Sequence, residues 1–155
     1  MDRQQDLGAV ARNIIDSNWY MALGTADETG RPWVSPVYYA AAGYTDFYWV
    51  SSPEARHSRN LAGRPELSIV IFDSRVAVGA GQGVYVSAVA EELAGDELAR
   101  GIDIFSQVSE SHGAPRWTLE DVRPPSVYRL YRAIASKHWV LEPGSRPNRR
   151  TEVTL

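Results

Sequence analysis

One stretch of the chain concentrates residues able to do chemistry: Val50-Ser51-Ser52-Pro53-Glu54-Ala55-Arg56-His57-Ser58-Arg59-Asn60-Leu61. It joins a strand-like aromatic run to a helix, so two hydroxyls stand at the junction and Arg56, His57 and Arg59 fall in the first two helical turns. A helix N-terminus carries unpaired N–H groups and the positive end of the dipole, which suits a phosphate. Arginine adds a forked donor, and Ser51 and Ser52 add hydroxyls. The same residues also suit a capped surface helix with solvated basic side chains. Glu54 favours that second reading, because a first-turn carboxylate satisfies the dipole and repels phosphate. Local sequence leaves both open.

Three further segments carry possible binding groups. Pro32-Trp33-Val34-Ser35-Pro36-Val37 holds two prolines that cannot donate to a ladder, so the strand belongs at a sheet edge or carries a bulge. Free backbone groups at such an edge can meet the polar rim of a flat heterocycle, with apolar neighbours against its face; equally, the prolines can simply protect the edge from aggregation. Gly79-Ala80-Gly81-Gln82-Gly83 lacks the Lys-Ser/Thr ending of a phosphate loop and leads into a strand, so it reads as a hairpin turn from which Gln82 could reach a ligand. Trp139, in Lys137-His138-Trp139-Val140-Leu141, suits stacking on an aromatic ring and suits core or interface packing equally.

Other chemistries find little support. The histidines, His57, His112 and His138, show no i, i+4 pairing for zinc, so no metal site is expected. No G-x-S-x-G elbow is present. Glu91-Glu92 and Glu120-Asp121 are sequence neighbours, a spacing that gives no glycosidase-type carboxylate pair.

These segments need elements to position them. Leu7, Val10, Ala11, Ile14 and Ile15 recur at helical spacing, predicting a helix over about 4–16 that ends at Asp16-Ser17-Asn18. Strands are predicted over Trp19–Ala26, Pro32–Ala41, Asp46–Ser51, Glu66–Phe72, Val84–Leu93 and Ser126–Leu141. Asp27-Glu28-Thr29-Gly30 and Ala42-Gly43 are the turns between the first three. A second helix is expected over Pro53–Ala62, with Ser52 as N-cap, Pro53 at its first position and Gly63 after its end. A third runs over Asp96–Val108, a helical turn lies near Leu119–Val122, and the tail from Glu142 ends in a short extended piece. Strands in consecutive hairpins, with few helices between them, predict a mainly β fold: an antiparallel six-stranded barrel with flanking helices.

Bulk properties set the frame. A chain of 155 residues, 44% hydrophobic and 23% charged, fits one globular domain. A net charge of −3 favours neither nucleic acid nor anionic membrane as partner. Without cysteine the chain has no disulfide and no thiolate ligand, in keeping with a reducing compartment. The N-terminal residues are polar where a signal peptide is apolar, and no run reaches the roughly 18 apolar residues of a membrane span. A cytoplasmic protein is expected.

In order and spacing, these segments resemble the FMN-binding split β-barrel family related to pyridoxamine 5′-phosphate oxidase. The resemblance runs from about Trp19 to Leu141. It rests on PWVSPV, on FYWVSS leading into ARHSRNL, on ELSIVIF, on the V-x-V-x-A-x-A-E-x-L pattern of Val84–Leu93, and on R-N-L-x-x-x-P-x-L over Arg59–Leu67. The closing LYRAIASKHWVLEPG looks like an uncharacterised bacterial subgroup. The resemblance implies a split barrel of 1–155 forming a homodimer with FMN at its interface and a small organic substrate reduced or oxidised by hydride transfer. It implies that Ser51, Ser52, Arg56 and His57 grip the phosphate, with histidine where lysine is usual, and that Val50 beside them also contacts the cofactor. It further implies that Trp33, Val34, Ser35 and Pro36 lie along the ring system, with Gln82 and Trp139 also in contact. The tail PGSRPNRRTEVTL lacks the tryptophan segment and arginine–histidine pair of the oxidases proper, so that activity itself is not expected. The deazaflavin F420 on the same fold, and a flavin or haem carrier or sensor without catalysis, are the alternatives.

Overall fold

The computed structural model describes residues 3–155, apart from the side chains of Gln4 and Gln5. Its elements are α1 (Arg3–Ser17), β1 (Tyr20–Ala26), β2 (Pro32–Tyr38), β3 (Ala40–Ala42), β4 (Asp46–Ser51), α2 (Arg56–Gly63), β5 (Glu66–Ile71), β6 (Val84–Glu92), α3 (Gly95–Ser111), β7 (Arg129–Leu141) and β8 (Arg150–Val153), with a 3-10 turn at Leu119–Val122. All strands join one antiparallel sheet in the order β2-β1-β5-β6-β7-β4-β3, and β8 adds to β7.

The sheet curls until β2 meets β4 without a ladder between them, which is the split of a split barrel. The proline-bearing β2 is the terminal strand there, as its missing N–H donors require. The segment expected as one strand over Pro32–Ala41 divides at Tyr39. Its backbone N–H turns to Trp19 O and its hydroxyl donates to Ile15 O, so the chain leaves the β1 ladder and starts β3. The extended piece of the tail is β8.

Strand alternation sorts side chains into two cores. Inward residues Met21, Leu23, Phe47, Trp49, Leu67, Ile69, Ile71, Val84 and Val86 fill the barrel, and Leu7, Ala11, Ile14 and Ile15 of α1 close it. On the outside of the sheet, Tyr48 of β4, Leu130 of β7 and Leu93 just after β6 pack beneath Leu98, Ile102 and Phe105 of α3. Gly101 permits this close approach, since a Cβ there would stand 2.8 Å from Leu93 Cδ1 and 3.0 Å from Leu130 Cδ2. Two turns are fixed by side chains. Asp27 Oδ1 accepts from the N–H groups of Thr29 and Arg31 and from the Thr29 hydroxyl. Tyr44 holds a left-handed φ of 60°, secured by its hydroxyl on Asp16 and by His138 Nε2 against its carbonyl.

A bulge interrupts the β6–β7 ladder. Ser87 pairs with Lys137 but Ala88 with Ala135, leaving Ser136 extra, with its hydroxyl donating to Ser87 O.

Candidate functional site

The split is where the predicted phosphate residues gather. β4 ends at Ser51, the chain turns through Ser52-Pro53-Glu54-Ala55, and α2 begins at Arg56 beside β1 and β2. The helix starts later than the sequence suggests. Ala55 N donates to Ser52 O and Glu54 N to Ser52 Oγ, so Ser-Pro-Glu closes as a turn of its own. The N-cap is therefore Ala55, with no side-chain cap, and not Ser52, while Pro53 lies outside the helix. Glu54 consequently stands outside the first turn, and its carboxylate pairs with Arg59 at 2.7 Å. The first turn of α2 carries no acid. Glu54 therefore does not cap the helix dipole, and the first N–H groups of α2 have no side-chain acceptor.

Ser51 and His57 are 9% and 7% exposed, and Ser51 Oγ lies 2.8 Å from His57 Nε2. Burial pushes the imidazole below the ordinary histidine range, keeping it neutral. Asn60, one turn on, donates to Thr25 Oγ1, and the Thr25 hydroxyl donates to Trp33 O. Thus the inner face of α2 is tied to β4, β1 and β2 by neutral hydrogen bonds. Arg56 projects on the other side. It is exposed, and its guanidinium lies 4.2 Å from the centre of the Trp33 ring. Stacking on tryptophan holds this charge at the lip of the split.

Beside that lip, the outer face of the sheet forms a groove. Gly24, Ser68 and Ser87 make a floor of small residues, Val34 stands along one side, and the cross-strand pair Tyr85 and Trp139 stands along the other. Two contiguous hollows, of about 210 and 520 Å3, share Gly24, Val34, Ser68 and Ser87, and the larger reaches Trp33. Gly24 adds no side chain to this floor. A Cβ there would sit 3.4 Å from Ser68 O and project into the groove.

The structure thus brings Trp33 and Arg56 together, Ser51 and His57 together, and Val34 and Trp139 together. Ser35 and Pro36 continue β2, with Ser35 half-buried opposite Leu23 and Pro36 exposed opposite Ala22. Ser52 is half-buried in its turn. Gln82 precedes β6 and lines none of these hollows, and Val50 faces a different cavity beneath α3. Sequence reasoning missed Tyr85 and the small floor residues. Their signal was the period-2 alternation of β1, β5 and β6, which puts Gly24, Ser68, Tyr85 and Ser87 on one face.

The fold agrees with what the chain resembles. The family model for pyridoxamine 5′-phosphate oxidase matches residues 7–131. The chain belongs to that family. No curated protein matches it in sequence. Among solved structures it is similar to a haem-binding protein from Mycobacterium smegmatis (TM-score 0.73, 25% identity), covering 92% of this chain and 55% of that one. The chain therefore spans little more than half that protein's length. It is also similar to HutZ, the haem storage protein of Vibrio cholerae (TM-score 0.69, 23% identity, 89% and 95% covered). A third likeness is to a FAD-binding protein from Mesorhizobium loti (TM-score 0.64, 19% identity, 83% and 87% covered). Among the described residues no helix is long and apolar enough to cross a membrane.

Proposed function

We propose that the chain binds FMN across the split and acts as an oxidoreductase on a small organic molecule. The observation that carries this reading is the pairing of an acid-free helix start and a stacked arginine with an adjacent groove of small floor residues. In this reading Arg56, the first N–H groups of α2 and the Ser52 hydroxyl hold the phosphate. Ser51 and His57 are positioning residues, fixing α2 against β4 without adding charge. Gly24, Ser68 and Ser87 leave room for a flat ring system, and Val34, Tyr85 and Trp139 flank it. A bound flavin supplies hydride transfer, and the chain supplies position and a dry surface.

The groove lies on an open sheet face that also exposes Val34, Val89 and Ile134. A second copy of the chain covering this face, as a homodimer, would exclude water from the ring. Sedimentation of the protein with and without FMN tests that arrangement.

A haem carrier is the second reading, favoured by the likeness to the two haem proteins. Two of the three histidines weigh against it. His57 and His138 are buried and hydrogen-bonded, to Ser51 and to Tyr44 O, and neither is presented at the groove. F420 would use the same arginine and groove. The test is titration of the protein with FMN, F420 and haemin, repeated with Arg56→Ala. A charge-assisted phosphate contact is worth about 1.5–3 kcal/mol, so FMN affinity should fall roughly 10- to 150-fold. Unchanged affinity overturns the phosphate assignment.

A further inference from the structure

A hollow of about 240 Å3 lies beneath α2 where β6 ends and β7 begins, and it shares no lining residue with the groove. Strand alternation puts Ala90 and Glu92 on one face of β6, and Glu92 pairs in register with Tyr131 of β7. Ser58 and Leu61 of α2, with Pro53 of the preceding turn, add further wall. The volume lies below the roughly 300 Å3 at which drug-sized sites begin, so only a compact molecule fits.

Three polar groups converge there. Ser58 is 4% exposed, and its Oγ has no hydrogen-bond partner. A buried orphan of this kind costs stability unless something outside the chain satisfies it. Tyr131 is also buried, with its ring stacked on Trp49 at 5.7 Å and 13°. Its hydroxyl stands near Ser58 and Glu92 without closing a hydrogen bond to Ser58. The Glu92 carboxylate makes no ion pair among the described residues. Glu91, at the rim, is paired with Arg132. Arg129 precedes Tyr131 by two residues but commits its guanidinium to Ser126 O and Tyr128 O. No lysine, arginine or histidine lines the hollow, so the charge it presents is negative.

We infer that this hollow binds a small primary ammonium ion bearing a short alkyl chain. An ammonium group carries three N–H donors and no acceptor, which matches the Glu92 carboxylate and the Tyr131 and Ser58 hydroxyls in number. A hydroxyl oxygen accepts whichever way its own proton turns, so all three can receive at once. The alkyl chain lies against Pro53, Leu61 and Ala90. An anion is repelled by Glu92, and a neutral alcohol leaves that carboxylate without a counter-charge.

The probe is n-butylamine, protonated near neutral pH, titrated into the isotope-labelled full chain without flavin and followed by amide chemical shifts. Saturable shifts are expected at Leu61, Ala62, Ala90 and Tyr131. Neutral n-butanol should produce none. Butyltrimethylammonium, charged but without N–H donors, should bind at least about tenfold more weakly. Glu92→Gln keeps the shape but removes the charge, and should weaken the amine roughly 3- to 10-fold. Ser58→Ala should weaken it roughly 2- to 10-fold with no fall in urea midpoint, because an unpartnered hydroxyl contributes nothing to the fold. Gly24→Val, aimed at the flavin groove, should leave amine affinity unchanged, so this inference and the flavin reading can fail independently. No saturable shift at these amides, an equal response to either analogue, full affinity in Glu92→Gln or Ser58→Ala, or lost affinity in Gly24→Val would each overturn it.

Discussion

Replacing Ser51 by alanine removes one partner of a buried couple and leaves His57 Nε2, in a side chain 7% exposed, with no hydrogen-bonding group at 2.8 Å. An orphaned buried polar atom costs about 1–3 kcal/mol. His57→Leu, which has no polar side-chain atom, orphans the Ser51 hydroxyl and should cost a similar amount. The double variant leaves neither partner waiting for the other, so its loss should be smaller than the sum of the two, with a coupling of about 0.5–3 kcal/mol. The pair also makes stability depend on pH. Burial holds the folded His57 below the ordinary histidine pKa, so below about pH 6.5 the unfolded chain takes up a proton that the folded chain refuses. Stability is full above the unfolded value and falls as the pH drops toward the folded one. The slope is at most about 1.4 kcal/mol per pH unit for one such group. His138, also lowered chiefly by burial, adds a second term of the same sign. Urea denaturation followed by tryptophan fluorescence, at about pH 8 and about pH 5.5, should show wild-type stability falling with acid and His57→Leu falling less. A flat wild-type profile, an undiminished slope in His57→Leu, or strict additivity of the two single variants would refute the reasoning.

Two other outcomes follow from close contacts. Gly24→Val puts a branched side chain into the groove beside Ser68 O while leaving the barrel interior untouched, and should weaken FMN binding with little change in urea midpoint. Equal affinity in that variant would remove the groove from the site. Gly101→Leu forces α3 away from Leu93, Leu130 and Tyr48 and should destabilise the fold by roughly 1–3 kcal/mol. A thermal melt indistinguishable from wild type would mean that α3 is not seated as described.

Much of the architecture was legible because periodicity reports which face is buried. The α1 stripe of Leu7, Ala11, Ile14 and Ile15, the edge position of β2 and the Asp27–Gly30 turn follow from spacing, missing donors and turn chemistry. The start of α2 did not follow. Ser52-Pro53 has the composition of an N-cap and first helical position, but the Ser52 carbonyl and hydroxyl are both engaged by the turn that precedes the helix. Such competition between a local turn and a cap is decided by tertiary packing of His57 and Asn60, not by propensity. The bulge at Ser136 left no mark either, since Ala135-Ser136-Lys137 alternates no differently from its neighbours until β6 fixes the register. The candidate site was legible where residues are adjacent in sequence, as from Val50 to His57. It was illegible where the fold joins distant ones: Arg56 with Trp33, and Tyr85 with Trp139.

The central claim is that a flavin occupies the split and groove. The most direct measurement is the visible absorbance of the protein after incubation with FMN and removal of free ligand, followed by addition of a reduced nicotinamide. A protein-bound two-band flavin spectrum that bleaches on reduction is the expected result. Protein that emerges colourless with FMN, or that retains haemin in its place, would contradict the account.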